Sequence, residues 1–153
     1  MEIEKKYLVS QIPDNIDDYD KWEIEQCYLC MKPTIRIRKK NKDYILTYKN
    51  RLAQKSEQKL CVADEIEVPL TKDAFEHLKQ KADGKCICKT RYRIPYGKYV
   101  IELDLFHKDY EGFVLAEVEF SSIEESKKFV PPSWFDRDVS GNYHYSNSHL
   151  SQI

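Results

Sequence analysis

The sequence has 153 residues, of which 33% are charged, yet its formal net charge is only −1. The length suits one domain, which we predict to span residues 1–153, and the balance of charge argues against a general binder of nucleic acid or of an anionic membrane. No apolar run approaches a bilayer span and no signal peptide precedes the first predicted strand, so we expect no membrane partner and a cytoplasmic location.

Six short segments carry charged residues at alternate positions with mostly apolar residues between them, which is the pattern of β-strands that have one apolar face. The first of them carries Glu2, Glu4 and Lys6 at alternate positions. Proline, asparagine and glycine mark tight turns between several of the segments. In all, eight strands are predicted, at residues 1–9, 22–31, 34–40, 43–51, 60–69, 85–95, 97–106 and 113–121.

Two helices are predicted within this series of strands. The segment Thr71–Ala82 has an apolar stripe behind a threonine N-cap. Ser122-x-x-Glu125 is a capping box that opens a second helix. Both helices stand where they can pack on the outside of a sheet, whereas the polar and aromatic tail from residue 133 shows no clear pattern.

Like charges occur on the same face of single strands, and this grouping indicates which face points inward. Arg36 and Arg38, or Glu117 and Glu119, would repel each other without benefit on a solvated surface. Closing the strands into a barrel removes unpaired edges and places these faces inside. We therefore predict a β fold, α+β by content: a closed eight-stranded antiparallel β-barrel tunnel of up-and-down connectivity, with a charged interior and helices packed outside.

The predicted interior holds nearly equal numbers of positive and negative side chains, so two interpretations stay open. A purely structural lattice of salt bridges would be close to neutral without any ligand. Grouped carboxylates, however, suit hard divalent cations, and grouped arginines and lysines suit phosphate oxygens. The inward carboxylates are Glu2, Glu4, Glu65, Glu67, Glu102, Asp104, Glu117 and Glu119, and the inward cations are Lys6, Arg36, Arg38, Lys49, Lys89, Arg91 and Arg93.

Five cysteines raise the question of a metal site or disulfides. Cys27-x-x-Cys30 and Cys86-x-Cys88 could be imagined as four zinc ligands. Residues three apart on a strand face opposite ways, however, which disfavours such a site. We therefore expect free thiols that act as small apolar side chains in a reducing compartment.

The order of the charged pairs resembles that of the CYTH superfamily, the triphosphate tunnel metalloenzymes, and its bacterial inorganic triphosphatases in particular. Glu2-x-Glu4-x-Lys6 is similar to the N-terminal E-x-E-x-K signature of the family, and the later pairs follow in order as far as Tyr145-Ser-Asn147. The resemblance covers nearly the whole chain. It implies that the protein binds Mg²⁺ or Mn²⁺ and a small-molecule triphosphate inside the tunnel, and we expect a monomer or homodimer. His144 departs from the pattern, because the family usually has Arg or Lys there.

The resemblance also implies a role for each matching residue. The implied metal ligands are Glu2, Glu4, Asp104, Glu117 and Glu119. The implied phosphate-binding residues are Lys6, Arg36, Arg38, Lys49, Lys89 and Arg91. The implied catalytic residues are Lys6, Tyr28 and Glu117. Glu65 and Glu67 are expected to orient the cations.

Three classes of function stay open at this point. The first is a metal-dependent triphosphatase, a phosphoric anhydride hydrolase that converts inorganic tripolyphosphate to pyrophosphate and phosphate, with thiamine triphosphatase as a close variant. The second is a class IV adenylate cyclase, and the third is a non-enzymatic polyphosphate-binding module. Tyr28 is the main aromatic residue expected inside the barrel and Trp22 is expected to be a packing residue, so a nucleobase should gain little and bare tripolyphosphate should be preferred over ATP.

Overall fold

A computed structural model describes residues 1–51 and 60–153 of the chain. The strands are β1 (Glu2–Val9), β2 (Asp20–Cys30), β3 (Thr34–Lys40), β4 (Asp43–Arg51), β5 (Cys61–Pro69), β6 (Asp83–Tyr96), β7 (Tyr99–Phe106), β8 (Val114–Phe120) and β9 (Phe135–Asp138). The helices of more than one turn are α1 (Lys72–Lys79), α2 (Ile123–Lys128) and α3 (Asn147–Leu150). None of the helices in these described ranges is long and apolar enough to cross a bilayer.

The strands form one antiparallel sheet in the order β5-β4-β3-β2-β6-β7-β8-β1-β9, and a further pairing of β1 with β5 closes the first eight into a barrel. The predicted closed eight-stranded barrel is confirmed. The predicted up-and-down connectivity is wrong, because β1 lies between β8 and β5, and β2 lies between β3 and β6. Alternation shows which face of a strand is buried but not which strand lies beside it, and α1 carries the chain across the barrel exterior between β5 and β6.

The strand registers place the charged residues of neighbouring strands side by side on the inner face. Glu4 lies opposite Glu119 and Lys6 lies opposite Glu117, while Arg38 of β3 lies opposite Gln26 of β2. Because side chains alternate along a strand, the apolar residues between them point outward. The predicted inward orientation of the charged faces is therefore confirmed.

Apolar packing lies outside the barrel, under helices and the C-terminal segment. One cluster joins Ile101, Leu103 and Val118 of the barrel to Phe129 and Phe135. In α1, Phe75 packs against β2 and β3 in a second cluster. The predicted helix starts are confirmed, because the Thr71 and Ser122 hydroxyls accept hydrogen bonds from the N–H groups of residues 74 and 125, each at 3.1 Å. Strand β9, within the tail that showed no pattern, extends the sheet beside β1.

The cysteines differ from the expectation of five free thiols. Cys27 of β2 and Cys86 of β6 form a disulfide on the outside of the barrel, while Cys30, Cys61 and Cys88 are free. The expectation was wrong for Cys27 and Cys86. It was based on the spacing of cysteines within one strand, whereas the disulfide joins two neighbouring strands. Disulfides are uncommon in cytosolic proteins, so this bond does not support the expected reducing compartment. The cytoplasmic location stays a prediction.

Candidate active site

The barrel encloses a cavity of about 280 Å³ whose wall is mostly charged. Every residue predicted for the site lines this cavity except Asp104, which is fully buried behind it. The lining residues among those predictions are Glu2, Glu4, Lys6, Tyr28, Arg36, Arg38, Lys49, Lys89, Arg91, Glu117 and Glu119. The barrel therefore brings the predicted set together, although the role of each residue remains a prediction.

A cationic wall is formed where β3, β2 and β6 lie side by side. Arg38 donates from Nε and Nη2 to the Gln26 Oε1 atom at 2.9 and 2.6 Å. Burial and the neighbouring guanidinium groups of Arg36 and Arg91 lower the pKa of Arg38 to about 9. The Arg36 Nε atom is buried and has no hydrogen-bond partner in the part of the chain that the structure describes. This wall thus holds positive charge and a hydrogen-bond donor that its own neighbours do not satisfy, as expected for an anion site.

Asp104 anchors part of this wall from behind. Its Oδ2 atom accepts from Lys89 Nζ at 2.7 Å, and Arg91 donates to both of its oxygens at 2.7 and 2.9 Å. Although burial opposes the effect, Arg91 and Lys89 lower the pKa of the Asp104 carboxyl. Both oxygens are thus engaged by cations, so in this arrangement Asp104 fixes the positions of Lys89 and Arg91.

The carboxylates of β1 and β8 form the opposite wall, and two of them lack a cationic partner. Glu2 pairs with Lys49 at 2.6 Å, and Glu117 pairs with Lys6 at 3.7 Å. Among residues 1–51 and 60–153, Glu4 and Glu119 form no ion pair within 4.0 Å. Burial and the Glu117 carboxylate raise the pKa of Glu4 to about 8, and burial together with Glu2 raises the pKa of Glu119.

This donor set fits a hard divalent cation by its chemistry. Carboxylate oxygens are the ligands that Mg²⁺ and Mn²⁺ take, and a bound cation would relieve the repulsion that raises the pKa values of Glu4 and Glu119. Within the described part of the chain, no three His, Cys, Asp or Glu side chains already stand close enough to share an ion. Ion binding would therefore require small movements of these side chains.

The C-terminal tail lies across the end of the cavity where Lys89 is buried. The Asn147 Oδ1 atom accepts hydrogen bonds from Lys89 Nζ at 2.8 Å and from Gln26 Nε2 at 3.1 Å. The Tyr28 hydroxyl accepts from Gln26 Nε2 at 2.9 Å, and it donates no hydrogen bond to another described residue. His144 is exposed and does not line the cavity.

At the other end of the cavity stand lining residues that the sequence analysis did not assign to the site. Trp22, expected to be a packing residue, lines the cavity with Lys40, Arg93 and Ile45. The alternation along β2 could have indicated the inward position of Trp22. Residues 22 and 26 are an even number of positions apart, so their side chains face the same side of the strand. Side-chain exposure along β6 rises from 1% at Lys89 to 8% at Arg91 and 40% at Arg93, so the cavity opens to solvent at this end.

Comparisons with known proteins agree with this architecture. The chain is 33% identical to the inorganic triphosphatase of Nitrosomonas europaea, over 98% of this chain and 96% of that protein. It is 32% identical to the inorganic triphosphatase of Acetivibrio thermocellus, over 97% of this chain and 92% of that protein. No family profile matches the chain.

Solved structures show the same fold. A crystal structure of an inorganic triphosphatase aligns with a TM-score of 0.71 at 30% identity, covering 100% of this chain and 95% of that one. A Hippeastrum protein described as an adenylyl cyclase with a dominant triphosphatase activity aligns with a TM-score of 0.63, covering 84% of this chain and 83% of that one. At 15% identity, this second similarity shows the fold alone.

Proposed function

The chain belongs to the CYTH superfamily of triphosphate tunnel metalloenzymes, and on that basis we propose that it hydrolyses inorganic tripolyphosphate to pyrophosphate and phosphate. Relatives that share about a third of its residues over nearly their whole length are inorganic triphosphatases. The proposal includes Mg²⁺ or Mn²⁺ as the cofactor, a cytoplasmic location, and a monomer or homodimer that binds neither nucleic acid nor membrane.

The observation that carries the proposal is the division of the cavity into a cationic wall and a carboxylate wall, each of which holds a buried ionisable side chain that is not fully partnered among the described residues. In a purely structural lattice, each buried charge would have a partner. Among residues 1–51 and 60–153, the Arg36 Nε atom lacks a hydrogen-bond partner, and buried Glu4 has no ion pair within 4.0 Å. A triphosphate with a divalent cation supplies both missing partners, because its oxygens suit the arginines and its metal suits the carboxylates.

Phosphoryl transfer requires mainly positioning and neutralisation of charge, and the tunnel is built for both. The planar guanidinium groups of Arg36, Arg38 and Arg91 hold phosphate oxygens, and buried Lys89 adds a further donor. The bound Mg²⁺ or Mn²⁺ would be held by Glu2, Glu4 and Glu119 and would neutralise charge on the phosphates.

Lys6 and Glu117 occupy opposing positions of β1 and β8, within the carboxylate wall. Although burial opposes it, Lys6 and Arg91 hold the pKa of Glu117 well below its usual range, so its carboxylate is ionised and able to orient a water. Tyr28, whose hydroxyl donates to no other described residue, would donate to a phosphate oxygen at the closed end. These assignments give Lys6, Tyr28 and Glu117 the catalytic roles.

A phosphate-release panel tests the proposal with tripolyphosphate, ATP, thiamine triphosphate and pyrophosphate, each with Mg²⁺ and with Mn²⁺. We expect tripolyphosphate to have the highest kcat/KM and pyrophosphate to be poor, because it engages fewer cations of the wall. Arg38→Met should lose most activity, whereas Lys39→Met, which removes the same charge from the outer face of β3, should retain it. Accumulation of cyclic AMP from ATP, or a higher kcat/KM for thiamine triphosphate, would replace the proposal with one of the alternatives.

A further inference from the structure

Trp22 stands at the open end of the tunnel between two cations. Lys40 Nζ lies 4.1 Å from the centroid of its ring, and Arg93 Cζ lies 4.8 Å from it. Lys40 is on β3 and Arg93 is on β6, and these two strands flank β2, which carries Trp22, on opposite sides. The two cations therefore reach the indole from the two strands that neighbour β2, and cation–π attraction favours this arrangement.

The two cations extend the cationic wall by one step toward solvent. On β3, Lys40 is the next inward residue after Arg38, and on β6, Arg93 is the next after Arg91. Two residues along a strand span about 7 Å. A linear anion that lies along Arg38 and Arg91 would therefore meet Lys40 and Arg93 if it were longer at its outer end.

These outer cations are also incompletely neutralised. Among the described residues, the Arg93 Nε atom is buried without a hydrogen-bond partner, and the carboxylate oxygen nearest to it, on Glu102, is 3.9 Å away. Arg91 shares the same Glu102 oxygen at 3.5 Å. Within the described ranges, Lys40 has no carboxylate within 4.0 Å. The strand registers also place the exposed Asp20 opposite Arg93 and the exposed Asp43 opposite Lys40, but among the described residues neither carboxylate forms an ion pair within 4.0 Å.

We propose that Lys40 and Arg93 form an outer phosphate subsite, positioned by Trp22, that binds the fourth phosphate of a linear polyphosphate. The inference rests on the proposed function and extends the substrate class from tripolyphosphate to tetrapolyphosphate. Trp22 acts as a positioning residue. Because Lys40 and Arg93 already lie over its ring, the indole is engaged by cations and has little free surface on which a nucleobase could stack.

Calorimetric titration in EDTA tests the subsite without hydrolysis, using the ratio of the Kd for tripolyphosphate to the Kd for tetrapolyphosphate. Charge-assisted contacts at a partly exposed site are worth roughly a fivefold change in affinity. We expect the ratio to fall about fivefold in Lys40→Met and in Arg93→Met, and further in the double variant. Lys39→Met controls for general loss of charge, because Lys39 lies on the outer face of the same strand, and it should keep the wild-type ratio. An equal ratio in all variants would overturn the proposal.

The role of Trp22 is tested in the same titrations. Trp22→Phe should keep most of the ratio because it retains an aromatic face, whereas Trp22→Leu should lower it about as far as the loss of one cation does. Selective weakening of ATP binding in Trp22→Leu, with an unchanged polyphosphate ratio, would instead identify Trp22 as a base-stacking residue and refute the proposal.

Hydrolysis assays separate this inference from the proposed function. If the protein releases phosphate from tripolyphosphate but the binding ratio does not respond to Lys40 or Arg93, the subsite is refuted and the function stands. If the ratio responds as expected but no triphosphate is hydrolysed, the subsite stands and the proposed function is refuted.

Discussion

Glu4 is the residue whose environment departs most from what its charge requires. It is 7% exposed, faces Glu119 across the strand pair and has a pKa raised to about 8 by burial and by Glu117. At neutral pH and without a ligand, this carboxyl therefore retains its proton. Loss of that proton becomes favourable when a cation arrives, so cation binding and proton release at Glu4 are linked.

The first prediction concerns stability and pH in the unliganded protein. Since the folded-state pKa of Glu4 is above its ordinary value of 4.5, the folded state binds more protons than the unfolded state between these values. Stability should therefore fall as pH rises from 5 to 8. Between pH 5 and 8, the free energy of unfolding of Glu4→Gln should decrease by at least about 1.4 kcal/mol less than that of the wild type, which is the equivalent of one pKa unit. Urea unfolding in EDTA measures it, with exposed Glu124→Gln as the control, and parallel profiles for wild type and Glu4→Gln would contradict the prediction.

The second prediction concerns metal-dependent activity. Glu4→Gln and Glu119→Gln should each lower kcat/KM at least about a hundredfold, because they remove carboxylates that we assign to the cation. Circular dichroism should show an intact fold, since losing one of several like charges relieves repulsion. Glu124→Gln again serves as the control. Full activity of either interior variant at saturating Mg²⁺ or Mn²⁺ would show that the assignment is wrong.

At the scale of elements, the pair formed by β2 and β6 is central to the site. β2 carries Trp22 and Gln26, and β6 carries Lys89, Arg91 and Arg93. The two strands are distant in sequence, and the disulfide between Cys27 and Cys86, 59 residues apart, fixes them to each other on the outer face. The covalent link thus supports the register of the cationic wall from outside the tunnel.

The third prediction concerns this disulfide. In the chain-entropy view, a link across 59 residues restricts the unfolded chain, so reduction should lower the free energy of unfolding by about 2–4 kcal/mol. Urea unfolding with and without a reductant measures the change. The double variant Cys27→Ser/Cys86→Ser should not respond to the reductant. An unchanged midpoint in wild type, once thiol titration shows full reduction, would contradict the prediction.

The sequence showed which face of each strand points into the barrel, but it did not show which strands pair with each other. Alternation identified the strands and the charged residues that face the cavity. Successive side chains point to opposite faces of a strand, so a period of two shows which residues share a face. Alternation carries no information about strand partners, so the connectivity and the bond between Cys27 and Cys86 were missed. The four residues of β9 are too few for a pattern. Trp22 was assigned to packing because an aromatic side chain alone does not show that cations lie beside it.

At the scale of the whole molecule, the barrel holds like charges together before any ligand binds. The fourth prediction is that tripolyphosphate raises the melting temperature in EDTA, where turnover is prevented. Binding to the folded state at a hundred times Kd adds about 2.7 kcal/mol to stability. Differential scanning calorimetry measures it, with sulfate at equal ionic strength and the Arg38→Met variant as controls. An equal shift from sulfate, or no shift where calorimetric titration detects binding, would contradict a preformed polyanion site.

The position of β1 has a consequence for how the protein comes to fold. This strand, first in the sequence, pairs with β5, β8 and β9, and the Lys6 amide donates to Ser140 across 134 residues of chain. Such non-local pairings carry a large loop-closure entropy and form late, which places this barrel among slow-folding topologies. During synthesis, β1, which carries Glu2, Glu4 and Lys6, leaves the ribosome before β5, β8 and β9, with which it pairs. We therefore expect the final closure of the barrel and the assembly of its charged cavity to occur together.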